Sequence, residues 1–266
     1  MMNCLREFIT DHAPDPVFIN LVNINNKLKK RPGKLSQYNK DIYIVTDGKK
    51  NAYSPRRSRL GRYYFGIDKQ CESLAKDYLL DNITFKKGDV VIDCGANNGE
   101  IGIWANHKGL TYFAFEPEPL ESQCCDLNNF DGQKKTIRKG LWFENTTIHW
   151  HSKPETADSS IIEMPETEDV QSIQTTTLSD FVNEEKIDNI RLFKLEAEGA
   201  EPEVLQGALP VLDKIDYMAV DCGYERGMDK KHTFMEIYNT LTDHNFEIVA
   251  AEFWRVVFLF KRRGVK

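Results

Sequence analysis

The chain has 266 residues, 41% hydrophobic and 29% charged, which suits one large globular domain, or one domain with an appended segment, and is long enough to bury a real core. With 35 basic and 41 acidic residues its formal net charge is −6, so a phosphate backbone is repelled overall and a nucleic-acid partner is not expected. The one basic patch, Arg56, Arg57 and Arg59 with Arg62, reads as a solvated loop.

The opening residues lead into no apolar stretch of signal-peptide length, and no apolar run is long enough for a membrane span. The longest run, Val256-Val257-Phe258-Leu259-Phe260, reads as a buried strand. Six cysteines form no Cys-x-x-Cys pair and have no metal-ligand spacing with histidine, so a reduced, cytoplasmic protein is expected.

Residues 1–75 are rich in Asn, Lys and Arg, with turn signals at Arg31-Pro32-Gly33 and Asp47-Gly48 and a short strand at Ile42-Tyr43-Ile44-Val45. They read as a cap on a second unit, residues 76–266, and not as an independent domain. From there strands and helices alternate. Strands are expected at 89–94, 111–115, 135–139, 190–196, 215–222, 245–251 and 254–261, and helices at 72–80, 99–107, 118–129, 201–208 and 230–243. Short apolar strands interleaved with amphipathic helices predict an α/β fold: a mainly parallel seven-stranded sheet with helices on both faces. Very few residues join the last two strands, near Glu252-Phe253, so these must form an antiparallel hairpin. The polar stretch 141–189 is expected to add a strand at Thr146–Trp150 and otherwise to loop over the site, mobile over about 143–175, with Asp158-Ser159-Ser160 offering hydrogen bonds.

The first chemical signal is Val91-Ile92-Asp93-Cys94-Gly95-Ala96-Asn97-Asn98-Gly99, a buried strand running into a glycine turn that opens a helix. Gly95 and Gly99 let backbone approach a ligand closely, and strand carboxyl ends are where open α/β sheets bind ligands. The G-x-x-x-G spacing is not the dinucleotide fingerprint, which counts against a nicotinamide oxidoreductase. The anion of Asp93 disfavours a pyrophosphate and suits a ligand carrying a sulfonium and an ammonium; the plain alternative is a carboxylate that caps a turn. Glu116, followed by the strand-ending Pro117, can accept both hydroxyls of a ribose. The third signal is Lys194-Leu195-Glu196-Ala197-Glu198-Gly199. Strand alternation puts Lys194, Glu196 and Glu198 on one face, costly in a buried strand unless the charges are paired or used.

These stretches together resemble the FkbM family of methyltransferases over about residues 72–260. The first motif marks the class I, Rossmann-like superfamily. The stretch Thr177-Leu178-Ser179-Asp180-Phe181, with Phe193–Glu201 and Val204-Leu205-Gln206-Gly207-Ala208, is the more specific part. The family usually has Asp where this chain has Glu196, and Glu with a following aliphatic residue where it has Asp221-Cys222-Gly223.

The resemblance implies a class I fold with a C-terminal antiparallel hairpin, S-adenosyl-L-methionine as cofactor, and O-methylation of a sugar hydroxyl in a glycan or glycolipid, or of a secondary metabolite. It implies cofactor contacts from Asp93, Gly95, Ala96, Asn97, Asn98 and Gly99, from Glu116 and Pro117 at the ribose, and from Leu141 and Trp142 near the adenine. Glu72 is expected at the methionine end, and Arg57, Arg59 and Tyr64 around the pocket mouth. Methyl transfer needs the acceptor oxygen aligned and deprotonated. Glu198 is the first candidate, then Glu196 and Asp221, with Lys194 keeping them ionised; His149 and His151 are alternative bases. No motif demands a metal. A binding module that holds the cofactor without catalysis is the rival from another class.

Overall fold

The computed structural model describes residues 10, 12–151, 170–227 and 229–265. The N-terminal part opens with helix α1 (Asp15–Leu28), followed by the antiparallel strands β1 (Lys34–Gln37), β2 (Tyr43–Thr46) and β3 (Asn51–Ser54). Asn23 brackets the backbone of Leu35 with two 2.8 Å hydrogen bonds, and Asn26 donates to Gly33 O, so polar side chains that read as loop-formers fasten a helix to a strand. A short helix α2 (Arg57–Leu60) runs into a 3₁₀ turn (Gly61–Phe65) and then α3 (Ile67–Asp77). That helix starts five residues before the expected 72–80, because Gly66, at φ +119°, breaks the chain there.

The main sheet is built from β4 (Val90–Cys94), α4 (Glu100–His107), β5 (Thr111–Phe115) and α5 (Pro119–Asn129), with further strands after an excursion. In that excursion β6 (Gly140–Leu141), β7 (Thr147–His151) and β8 (Val170–Thr176) form a small sheet of their own. The stretch expected to be mostly loop is thus partly strand; Asp158–Ser160 lies outside the described residues. Helix α6 (Leu178–Glu184), unforeseen, is capped by Thr177, whose Oγ1 accepts from Asp180 N. Then come β9 (Ile190–Leu195), α7 (Glu201–Ala208), β10 (Ile215–Asp221), the two-stranded β11 (Tyr224–Arg226) and β12 (Lys231–His232), α8 (Phe234–Asp243), β13 (Phe246–Glu252) and β14 (Val257–Arg262). Helix α8 starts later than the expected 230 because Lys231–His232 pairs with β11.

Six strands lie in the order β13-β14-β10-β9-β4-β5; β5, β4, β9 and β10 are parallel, and β14 runs antiparallel to both neighbours. The seventh strand, expected at 135–139, is reduced to a single bridge between Ile137 and Phe115. The cause is Asp126, which takes the amides of Lys135 and Thr136 and the Thr136 hydroxyl, so these donors are turned away from a strand ladder. Alternation along the strands sends Val91, Leu192, Tyr217 and Leu259 into one core, and Ile92, Phe193, Met218 and Phe260 into the other. The first core also takes Phe18, Leu35, Val45 and Tyr63 from the described N-terminal part. The chain leaves β4 toward β5 on one side and pairs β4 with β9 on the other, which opens a crevice at the strand carboxyl ends. No described helix is long and apolar enough to cross a membrane.

Candidate active site

The glycine turn sits in this crevice. Gly95 has φ +73°, and a Cβ there would stand 2.2 Å from Glu196 O, so only glycine lets β9 pass this close to the turn. The turn is held from below by Gly95 N and Ala96 N on Phe115 O, and from the side by Asn97 N on Glu116 Oε2 at 2.7 Å. Glu116 Oε1 accepts from Glu118 N at 3.0 Å. Burial pushes this carboxyl up to about 8, although the backbone donors of Glu118 and Asn97 oppose the shift. Asn98 is buried and donates to Ser54 Oγ, while Asn128 takes Asn98 O and both backbone polar groups of Tyr53, so the N-terminal sheet is fastened to the turn.

Lys194, only 2% exposed, is the bolt behind the turn. Its ammonium lies 3.0 Å from Asp93 Oδ1 and 3.0 Å from Glu196 Oε2, and donates to Cys94 O and Gly95 O. Burial pulls its proton affinity down, but Asp93, Tyr78 and Glu196 outweigh that and hold it well above the ordinary lysine value. Tyr112 donates its hydroxyl to Asp93 Oδ2. Burial raises the Asp93 carboxyl against the pull of Lys194. Asp93 is therefore engaged on both oxygens from within the protein. Glu196 is gripped by Lys194, Arg255 and the Tyr78 hydroxyl. Burial alone would raise it, but Lys194 and Arg255 hold it at about 2. Arg255 also bonds Asp221 at 2.9 Å. Burial raises the Asp221 carboxyl, and repulsion from Glu196 adds to it.

A cavity of about 330 Å³ opens in front of these groups, at the lower end of the roughly 300–1,000 Å³ usual for small-ligand sites. One wall is the strand ends: Asp93, Gly95, Ala96, Asn97, Glu116, Pro117, Lys194, Glu196 and Glu198. The facing wall comes from the N-terminal part: Arg56, Arg59, Arg62, Leu74 and Tyr78. Glu225 on β11 and Arg255 line it beside Glu198, and Glu100, Glu118 and Glu121 add three further carboxylates. A Cβ on Gly199 would meet the backbone of Glu225 and Arg226 at 2.7–2.9 Å, so this glycine lets β11 close onto the end of β9. Arg226 then locks the contact with a fork on Glu203 and a bond to Gly199 O. The result is Glu225 facing the cavity. Burial raises its carboxyl to about 8, with Asp221 and Glu196 repelling its charge.

Several expected positions are displaced. Glu72 is exposed and lines a second cavity between α3 and α4, because the helix turns Leu74 and Tyr78, one turn apart, toward the site. Leu141 is packed into the second core, and Trp142 leans on Phe143; neither lines the cavity. Asn98 and Gly99 also stand back from it, Gly99 with its carbonyl held by Asn129. Glu198 lies beyond the end of β9 at φ +51°, so it lines the cavity through the turn and not by strand alternation. Asp221 reaches the site only through Arg255. Arg57 is taken up by Asp15 and the Ala13 carbonyl, and Tyr64 is buried in the first core. His149 lies on β7, apart from the cavity lining, and the side chain of His151 lies outside the described residues. Among the described residues no three His, Cys, Asp or Glu side chains are grouped to hold a metal. Tyr78, Glu225 and Arg255 had no local motif to announce them.

The 31-O-demethyl-FK506 methyltransferase FkbM of Streptomyces tacrolimicus is 23% identical over 209 residues, covering 66% of this chain and 79% of the relative. Among solved structures, magnesium protoporphyrin IX methyltransferase from Synechocystis PCC 6803, with bound S-adenosylmethionine, is similar at 10% identity and TM-score 0.41, over 76% of this chain and 83% of that one. A TehB-like methyltransferase from Corynebacterium glutamicum shows 10% identity and TM-score 0.40, over 73% and 99%. Residues 93–248, more than half of the chain, match the Methyltransferase FkbM domain, from Asp93 into the start of β13. The chain thus belongs to the FkbM methyltransferase family and is an S-adenosylmethionine-dependent methyltransferase.

Proposed function

We propose that this enzyme methylates oxygen, on a hydroxyl of a sugar in a glycan or glycolipid, and that cofactor and acceptor meet in the cavity between the strand ends and the arginine wall. The observation that carries the reading is Glu225: a cavity-lining carboxyl held near 8, where its proton affinity suits removal of a hydroxyl proton near neutral pH.

The residues present fit the cofactor. Glu116 gives one acceptor position on each oxygen to the backbone and keeps the others, enough for two ribose hydroxyls. Eight acidic and five basic side chains line the cavity, and with Glu116 and Glu225 mostly protonated at neutral pH the lining is close to balanced, which suits a ligand with a zwitterionic amino-acid end beside its sulfonium. Gly95, Ala96 and Asn97 would border it, and bound there it would supply an electrophilic methyl group.

The chain's own residues then divide the work. Lys194 holds the turn against β9 and neutralises Asp93 and Glu196, so its role is positioning. Glu196, at about 2, is too weak a base to take a hydroxyl proton. Glu198 orients the acceptor hydroxyl, and Glu225 takes its proton. The base role expected of Glu198 passes in this reading to Glu225. Carboxylates on both sides of a polar cavity suit the diols of a sugar. The S. tacrolimicus relative supports oxygen as the methylated atom and keeps a secondary-metabolite hydroxyl as the second reading.

The test is turnover with S-adenosylmethionine on a panel of glycans, glycolipids and hydroxylated metabolites, read by mass spectrometry with the methylated atom assigned by NMR. A methyl ether on a sugar is the expected product. Methylation confined to nitrogen or carbon overturns the reading.

A further inference from the structure

The basic run of the sequence divides in the structure. Arg57 turns inward and is used up on Asp15 and backbone carbonyls. Arg56, Arg59 and Arg62 stand three residues apart across α2 and the 3₁₀ turn that continues it, a spacing that brings side chains onto one face. All three line the cavity. The Arg56 side chain is 91% buried and pairs with Glu121 at 2.6 Å, yet its Nη1 is buried with no partner. Arg59 and Arg62 make no ion pair among the described residues. Of the carboxylates lining this cavity, Glu121 is engaged by Arg56, Glu116 by two backbone amides and Glu100 by the Tyr63 hydroxyl, and Glu118 and Glu198 also have partners; outside it, Asp77 lies within electrostatic reach of Arg62.

Leaving a buried guanidinium nitrogen without an acceptor is costly, which points to a ligand that supplies one. The carboxylate of the cofactor has two oxygens and saturates one guanidinium fork. Three guanidinium groups on one wall exceed that need. We infer that the methyl acceptor carries a phosphate-type oxyanion, and that Arg59 and Arg62, with the unpartnered Nη1 of Arg56, receive it. The inference rests on the reading above that cofactor and acceptor share this cavity, and it narrows the acceptor to an anionic sugar, such as a sugar phosphate. A compact oxyanion fits this wall without contradicting the net negative charge of the chain, because the three cations are local and face inward.

Calorimetry on the full chain tests it. Inorganic pyrophosphate is titrated into protein saturated with S-adenosylhomocysteine, at constant ionic strength. Saturable binding is expected, weakened by about tenfold or more in Arg59→Ala/Arg62→Ala, with S-adenosylhomocysteine affinity within about threefold of wild type and the melting temperature preserved. A sugar phosphate should then be methylated in preference to the same sugar without its phosphate. Pyrophosphate that fails to bind the loaded wild-type protein overturns the inference and leaves the cofactor reading intact. Pyrophosphate that competes with S-adenosylhomocysteine, with both affinities lost in the double variant, assigns the wall to the cofactor's own carboxylate and also overturns it. S-adenosylhomocysteine that fails to bind the wild type overturns the shared-cavity reading, and this inference with it.

Discussion

Lys194 on β9 and Asp93 on β4 are register partners whose charges meet 3.0 Å apart with almost no exposure to solvent. Removing the cation would strand Asp93 and leave the Cys94 and Gly95 carbonyls without their donor. Lys194→Met should therefore lower the unfolding free energy by about 3–5 kcal/mol, the usual result of breaking a buried pair. Urea denaturation measures this, and adding Asp93→Asn should recover part of the loss. An unchanged midpoint in the single variant would count against the bolt.

Glu116→Ala removes both acceptors offered to a ribose. S-adenosylhomocysteine affinity should fall by about tenfold or more, the cost of leaving buried ribose hydroxyls without their partner. The variant should also lose some stability, because Asn97 N and Glu118 N lose their partner. Calorimetry that returns wild-type affinity would remove Glu116 from the cofactor site.

Glu225 sets an expected pH profile. A base near 8 is mostly protonated at neutral pH, so kcat/KM should climb about tenfold per pH unit below that value and level off above it. Glu225→Gln should cost about a hundredfold or more and abolish the slope. A retained slope in this variant would return the base role to another group.

Glu198→Gln keeps the shape of the side chain and removes its charge. If Glu198 orients the acceptor, KM should rise and kcat fall by about tenfold while the rising pH limb stays in place. Loss of that limb would make Glu198 the base instead.

Stability of the ligand-free protein should fall as the medium becomes alkaline. Glu116 and Glu225, at about 8, and Glu201, at about 7, all bind their protons more tightly in the fold than in the open chain, chiefly because burial penalises the charge. Their contribution is complete below the ordinary glutamate value near 4.5 and is lost as the pH rises through 7 to 8. Glu196 acts in the opposite sense, contributing above 4.5 and fading only toward about 2. The melting temperature should therefore drop by a few degrees or more between about pH 5.5 and 8.5. Glu116→Gln should flatten part of that drop, and a melting temperature that climbs with pH would refute it.

What the sequence determined by itself was local. The strand and turn of Val91–Gly99 with the helix that follows, the Glu116-Pro117 stop and the charged run at and just beyond the end of β9 are each written in contiguous residues, where periods of two and 3.6 and glycine placement act within a few positions. Which charges remain available for chemistry was decided only by tertiary structure. Glu196 and Glu198 look alike in sequence, yet Arg255, 59 residues from Glu196, and Tyr78, 118 residues from it, lock the first. Glu225 faces the cavity only because Gly199 lets β11 close against the end of β9. The arginine run read as a solvated loop became one wall of the site when the N-terminal sheet fastened to the turn through Asn98, Ser54 and Asn128. Whether a charge is paired depends on the atoms that face it, and chain segments far apart in sequence supply those atoms only once the core has closed.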